Sequence, residues 1–280
     1  MGPIFEHSLK ESLEITGLVF VMLVLMDLLY VFTRGKISTF LETHHNTQYV
    51  LSAFLGAIPG CEGAFLAVSL YAHGMISIGA LLAAFVASSG DEALVMLTLF
   101  PKNALLLFAL LAVLGVLSGW LFDQIYARFA PQSQCYCETA MFHPQEKFSM
   151  RHYFGKHIWQ HLIREHMVKI FLWTLVAIFL IEWLQPSTNL NLLIQKNPYS
   201  ALVTAAFFGL IPHSGPHLIF VTLYDRGTIP FSILLTNSIV QNGHALLPLL
   251  SISIRTSIVL KLSALVIGLV VGTLFFLLAG

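Results

Sequence analysis

The chain has 280 residues, 57% of them hydrophobic and 10% charged, with a formal net charge of zero. Soluble domains carry about a quarter charged residues, so that class is excluded, and a neutral chain offers no electrostatic attraction for nucleic acid. Three cysteines build no disulfide framework, whereas twelve histidines are unusually many.

The first apolar run, 12–33, reaches the roughly 20 residues that cross a bilayer. Glu11 and Glu14 stand at its start and no small-residue cleavage site follows, so it reads as a retained span rather than a signal peptide. It holds Asp27 in "LVLMDLLYVF". A second run, 49–72, is interrupted by "GAIPGCEGAF" (56–65), which supplies Gly56, Pro59, Gly60 and Gly63 together with Cys61 and Glu62. A third, 75–99, is interrupted by "SSGDEA" (88–93), with Gly90, Asp91 and Glu92. A fourth, 103–125, carries "GVLSG", whose small residues four apart suit close helix packing in lipid. These runs are continuous rather than alternating, so a transmembrane barrel is excluded.

A polar stretch, 126–166, divides the chain. Cys135 and Cys137 form a CxC pair there, and His157, His161 and Glu165 are spaced to share one helix face. Two histidines at i, i+4 can chelate a metal. Arg151, Lys156, Trp159 and Arg164 equally suit a basic helix lying on headgroups. A metal bound here would serve sensing or delivery.

Four further apolar runs follow. The first, 167–185, holds Glu182 near its end. The second, 199–223, is broken by "GLIPHSGPHL" (209–218), with Gly209, Pro212, His213, Ser214, Gly215, Pro216 and His217. The third, 229–251, is broken at "QNGHAL", with Asn242, Gly243 and His244. The last, 257–279, carries "GLVVG". The expected organisation is a membrane repeat at 1–125, a His/Cys-rich basic cytoplasmic linker at 126–166 and a second membrane repeat at 167–280.

The halves match without a gap at a shift of 153 residues. Gly56 falls on Gly209, Ile58-Pro59 on Ile211-Pro212, Leu70-Tyr71 on Leu223-Tyr224 and Gly90 on Gly243. A duplicated chain with interrupted helices in matching places is a mark of secondary transporters. If every run crosses fully, the repeats are parallel and basic residues divide eight inside to six outside. If each Ile-Pro run is a re-entrant hairpin, the repeats are inverted. With the N-terminus outside, ten basic residues then lie inside and four outside. The positive-inside rule favours inversion. The fold expected is an all-α polytopic membrane protein with two internal, inverted repeats, interrupted or re-entrant helices and about eight to ten membrane segments.

Backbone groups freed by Pro and Gly cannot face lipid and must face protein or a wet cavity. Polar residues placed there are costly and hence functional candidates, although a kink whose polar groups satisfy one another would look similar. The pooled set is Cys61, Glu62, Asp91, Glu92, His213, Ser214, His217, Asn242 and His244. Thiolate, imidazole and carboxylate together suit a divalent transition metal such as Mn, Zn, Co or Fe. Asp27 and Glu182 are candidates to carry a coupling proton.

The paired "GAIPG" and "GLIPHSGPH" motifs, with the His-rich linker between them, resemble the ten-helix heavy-metal exporters, also labelled manganese transporters. The resemblance covers nearly the whole chain. It implies metal efflux and five helices per half, a number reached when each Ile-Pro run counts as two half-helices. The expected function is secondary export of manganese or a similar divalent metal across the cytoplasmic (inner) membrane, coupled to protons or another ion. No nucleotide-binding motif is present. The alternatives are a transporter of an anionic solute bound at half-helix N-termini and, less favoured, an intramembrane enzyme. Membrane lipid and the metal substrate are the expected partners, no cofactor is expected, and a homo-oligomer is left open.

Overall fold

The computed structural model describes residues 2–33, 45–126, 168–184 and 198–279. The 126–166 linker's candidate ligands Cys135, Cys137, His157, His161 and Glu165 lie outside the described residues. So do the side chains of Asp27 and Glu182. The described residues form twelve α-helices and one 3-10 turn, and no strand.

In the first half these are α1 (Gly2–Thr33), α2 (His45–Gly56), α3 (Glu62–Ala72), α4 (Ile78–Ala87), α5 (Glu92–Leu99) and α6 (Pro101–Tyr126). In the second they are α7 (Val168–Leu184), α8 (Pro198–Phe208), α9 (Gly215–Asp225), α10 (Phe231–Val240), the turn Gly243–Ala245, α11 (Leu246–Ile252) and α12 (Ile254–Ala279). The helix breaks therefore fall where Pro and Gly put them. The run 49–72 becomes α2 and α3, and the run 75–99 becomes α4 and α5. The first helix starts ten residues ahead of the first apolar run, because polarity at its N-terminal end does not stop a helix that packs against protein.

Helix bounds in the two halves keep one spacing. Glu62 and Gly215, Ile78 and Phe231, and Pro101 and Ile254 each begin a helix and lie 153 residues apart. Gly90 and Gly243 both take positive φ, 59° and 51°. Only glycine visits that region at low cost, and here it lets α4 and α10 stop abruptly.

Two helices, Pro101–Tyr126 and Ile254–Leu278, are long and apolar enough to cross a membrane. Each wears an apolar stripe outward: Leu105, Val113, Leu117 and Leu121 on α6, and Ile258, Val266, Val270 and Leu274 on α12, all more than half exposed. An all-apolar exterior of this kind is stable only against lipid. The opposite faces carry the small residues. A Cβ on Gly119 would collide with the Gly79 carbonyl of α4, and one on Gly272 with the Thr236 side chain of α10. The small-xxx-small spacing thus sets the distance between the short buried helices and the long lipid-facing ones.

Hydrogen bonds fix relative heights. Gln48, near the start of α2, accepts from the Ser77 amide ahead of α4 at 3.0 Å. Asp123, near the end of α6, accepts from the Tyr49 hydroxyl at 2.9 Å, from the Gly79 amide at 2.8 Å and from the Ser77 hydroxyl. The start of α2, the start of α4 and the end of α6 are therefore level, and α3 ends five residues before Ser77. Between the halves, the Tyr71 hydroxyl lies 3.4 Å from Thr256 and Asn103 donates to the Tyr224 hydroxyl at 2.8 Å. So α12 begins where α3 ends, and α6 begins where α9 ends. Contacts between halves are reciprocal: α5 packs on α9 and α11 on α3, while α6 packs on α10 and α12 on α4.

Gly119→Val should lower the melting temperature in detergent, an overpacking loss of about 1–3 kcal/mol or more. Val113→Ala, on the 57% exposed face of the same helix, should leave it nearly unchanged.

Candidate metal centre

Four breaks and one continuous helix meet at the middle of the fold. The Gly60 amide donates to the Gly90 carbonyl at 3.1 Å, which ties the α2–α3 break to the α4–α5 break. The crossing between halves lies beside it. Asn242 Nδ2 donates to the Phe85 carbonyl at 3.1 Å, and Gln241 Nε2 to the Ser88 carbonyl at 3.4 Å. The last carbonyls of α4 are thus met by side chains from the other half, which is how backbone groups freed at a break stay paired away from water.

Polar side chains converge at this crossing. Cys61, Asp91 and Ser214 are the N-caps of α3, α5 and α9, yet none caps its own helix with its side chain. They turn toward one another and toward His244. Ser214 Oγ donates to Asp91 Oδ2 at 3.1 Å, and His244 Nδ1 lies 3.5 Å from the same oxygen. The other ring nitrogen, Nε2, is 3.1 Å from Glu11 Oε1. His213 Nε2 lies 3.4 Å from Glu11 Oε2, and its Nδ1 accepts from the Gly215 amide at 3.0 Å. The two imidazoles are edge to face, 5.3 Å between centroids. Donor atoms fall into two sets, each within 4.8 Å: Glu11 with His213 and His244, and Cys61 with Asp91 and His244. His244 belongs to both.

The remaining candidates are placed differently. Glu62 is exposed, and its carboxylate folds back against Gly60. Glu92 is 2% exposed and neither of its oxygens has a hydrogen-bond partner; it packs at Gly90, next to the crossing and outside both sets. His217 is 1% exposed and its Nε2 is engaged by the Ile211 carbonyl at 3.1 Å, within its own break. Asn242 serves the helix crossing described above. Pro59 and Pro212 lie within the breaks, Gly63 is pressed on the Leu55 carbonyl, Gly56 on Ala84 and Gly209 on Val240, while Gly215 and Pro216 open α9. Asp27 lies sixteen residues beyond Glu11 in α1, roughly 24 Å along the axis at 1.5 Å per residue.

Glu11 is the residue that sequence reasoning missed. It stands ahead of the first apolar run, which begins at residue 12. A finer signal was present. Ser8, Ser12, Ile15 and Val19 are spaced four, three and four apart and all are buried, so they mark an inward stripe that Glu11 adjoins.

A model of a family provisionally described as 10TM heavy-metal exporters matches the chain at residues 7–169 and 129–279. Comparisons with curated proteins and with solved structures return no match. The two matched stretches together run over nearly all of the sequence, including every break and all the residues that meet at the crossing. The chain is a multi-pass all-α membrane protein and belongs to the 10TM heavy-metal exporter family.

Proposed function

We propose that this exporter carries a divalent transition metal through the crossing, held in turn by the donors Glu11, Cys61, Asp91, His213 and His244. The observation that carries this reading is the pair of three-donor sets sharing His244. Two carboxylates, two imidazoles and a thiol are a mixed set of the kind suited to zinc, cobalt or iron, with manganese at the harder edge of the range. Bond-length matching to an ion needs only side-chain rotation, because the donors already lie on five separate elements that face one point.

The arrangement of heights supports inverted repeats. The α2–α3 and α8–α9 pairs act as re-entrant hairpins, entering and leaving on one side. Helices α4–α5 and α10–α11 act as broken spans. Each half then makes three crossings, an odd number, and α6 and α12 run in opposite directions. The domains are two membrane repeats at 1–125 and 167–280 joined by a cytoplasmic linker at 126–166. We place the N-terminus outside, in the inner membrane of the cell. Half-helix breaks at the centre of inverted repeats are how secondary transporters build their sites, so we take transport to be secondary and proton-coupled. The linker's Cys135, Cys137, His157, His161 and Glu165 serve as an accessory metal point, and Asp27 and Glu182 as proton stations at the membrane edges.

Helix N-termini also converge here, a feature that would favour an anion. The carboxylates of Glu62, Asp91 and Glu92 already stand at those termini and would repel one. The donors make no covalent chemistry, and we read the chain as a transporter rather than an enzyme.

In cells sensitised to Mn, Zn, Co and Fe, expression should lower intracellular content of at least one of these metals; no change with any of them would sink the reading. His244→Ala should lower the affinity of the purified protein for that metal by on the order of 100-fold or more, since even outer-shell partners are worth 10–100-fold. Isothermal titration checks this, and Glu62→Ala should bind nearly as the native protein does. Single cysteines at Lys102 and Arg226 should react with an impermeant thiol reagent from outside, and one at Arg255 only after permeabilisation. Reaction of all three from one side would exclude inversion.

A further inference from the structure

Lys261 takes no part in the site described above, and nothing in the sequence pattern marks it. It lies in α12, is 7% exposed, and has no carboxylate partner among the described residues. Its Nζ donates to the Gly209 carbonyl at 2.9 Å and to the Val240 carbonyl at 3.0 Å. These carbonyls stand at the C-terminal ends of α8 and α10. A cation is favoured there, where the last carbonyls lack intrahelical partners. Each is four residues ahead of a histidine of the cluster: Gly209 ahead of His213, and Val240 ahead of His244. One ammonium thus holds together the two stretches that present both imidazoles.

The first half has no such clamp. The residue 153 positions before Lys261 is Phe108, buried and apolar. Among the described residues the surroundings of the ammonium are otherwise uncharged. Helices α4, α8, α10 and α11, which pack against α12, carry no acid, amine, imidazole or thiol, and their one ionisable side chain is Tyr199, exposed at the start of α8. From α9 the imidazole of His217 faces it, while Asp225 is exposed at the far end of that helix. On its own helix Arg255 is exposed at the start. An unpaired charge at this depth is expensive and marks an ion or proton pathway.

We propose that Lys261 is the proton-carrying residue of the transport cycle, a role that rests on the metal-transport reading above. The ammonium form clamps the ends of α8 and α10. When Nζ gives its proton to water, the neutral amine keeps two N–H groups but loses its charge, and charge-assisted hydrogen bonds are roughly twice as strong as neutral ones. The clamp then loosens and the His213 and His244 segments are free to move. A divalent ion entering the cluster repels the ammonium and drives that proton off; reprotonation from the other side returns the clamp and expels the metal.

The test uses the full chain in proteoliposomes with zinc as the probe and dyes for zinc and pH inside. Native protein should accumulate zinc several-fold when the lumen is acidic and should move protons outward as it does so. Lys261→Arg, permanently charged, should bind zinc within about 2-fold of native and exchange it down its own gradient, but lose the pH-driven accumulation and the proton movement. Full pH-driven accumulation by Lys261→Arg or by Lys261→Gln would overturn the proposal. A second measurement needs no variant. An amine reagent that attacks only the neutral form should modify Lys261 several-fold faster when zinc is added at fixed pH, read by mass spectrometry, and an unchanged rate would equally overturn it. Failure of the native protein to bind zinc, manganese, cobalt or iron would instead remove the metal reading, and this proposal with it.

Discussion

A helix that stops inside a bilayer leaves carbonyls and amides with no partner, and lipid can supply none. Here α4, α8 and α10 stop this way, and carbonyls at their ends are met by groups from elsewhere in the chain. Asn242 and Gln241 reach the last carbonyls of α4. Asn237 donates to the Ala205 carbonyl near the end of α8 at 2.9 Å. Lys261 closes the ends of α8 and α10. The Gly60 amide and the Gly90 carbonyl close on each other. Without these bonds, each worth on the order of 1–3 kcal/mol if left unmade in a buried place, the breaks could not persist, and without the breaks the ligand side chains would have no common point to face.

The side chains at the starts of α3, α5 and α9 are not used as caps. Cys61, Asp91 and Ser214 would ordinarily bond to the first amides of the helices they begin. They point instead into the space between helices, and the site is made of residues diverted from capping. Apart from Glu11, which stands in the continuous helix α1, the donors come from the breaks beside short helices, whereas the long helices α6 and α12 contribute packing surface.

Much of this could be read from residues alone. The membrane class followed from the apolar runs, and the breaks at Ile58-Pro59, Gly90, Ile211-Pro212 and Gly243 followed from the known limits of Pro and Gly. Cys61, Asp91, His213 and His244 could be pooled because they stand at those breaks. What could not be read was which of the neighbouring acids turn toward the cluster. Glu62 and Asp91 have similar settings in the sequence, each next to a glycine at a helix start, and both are exposed; only three-dimensional packing folds Glu62 back on Gly60 and brings Asp91 to His244. Glu11 and Lys261 lie in continuous helices, so no local irregularity announced them; their neighbours across the fold are more than 200 and about 20–50 residues away.

The sharing of His244 has a further meaning for stoichiometry. Its Nε2 faces Glu11 and its Nδ1 faces Asp91. A neutral imidazole has one lone pair, so one nitrogen can ligate while the other carries the hydrogen. While the ring stays neutral, two ions cannot be held by the two donor sets at once through it. On the proposed metal-transport reading, the sets would be successive berths for a single ion, and exchange of one hydrogen between the ring nitrogens would decide which berth is open.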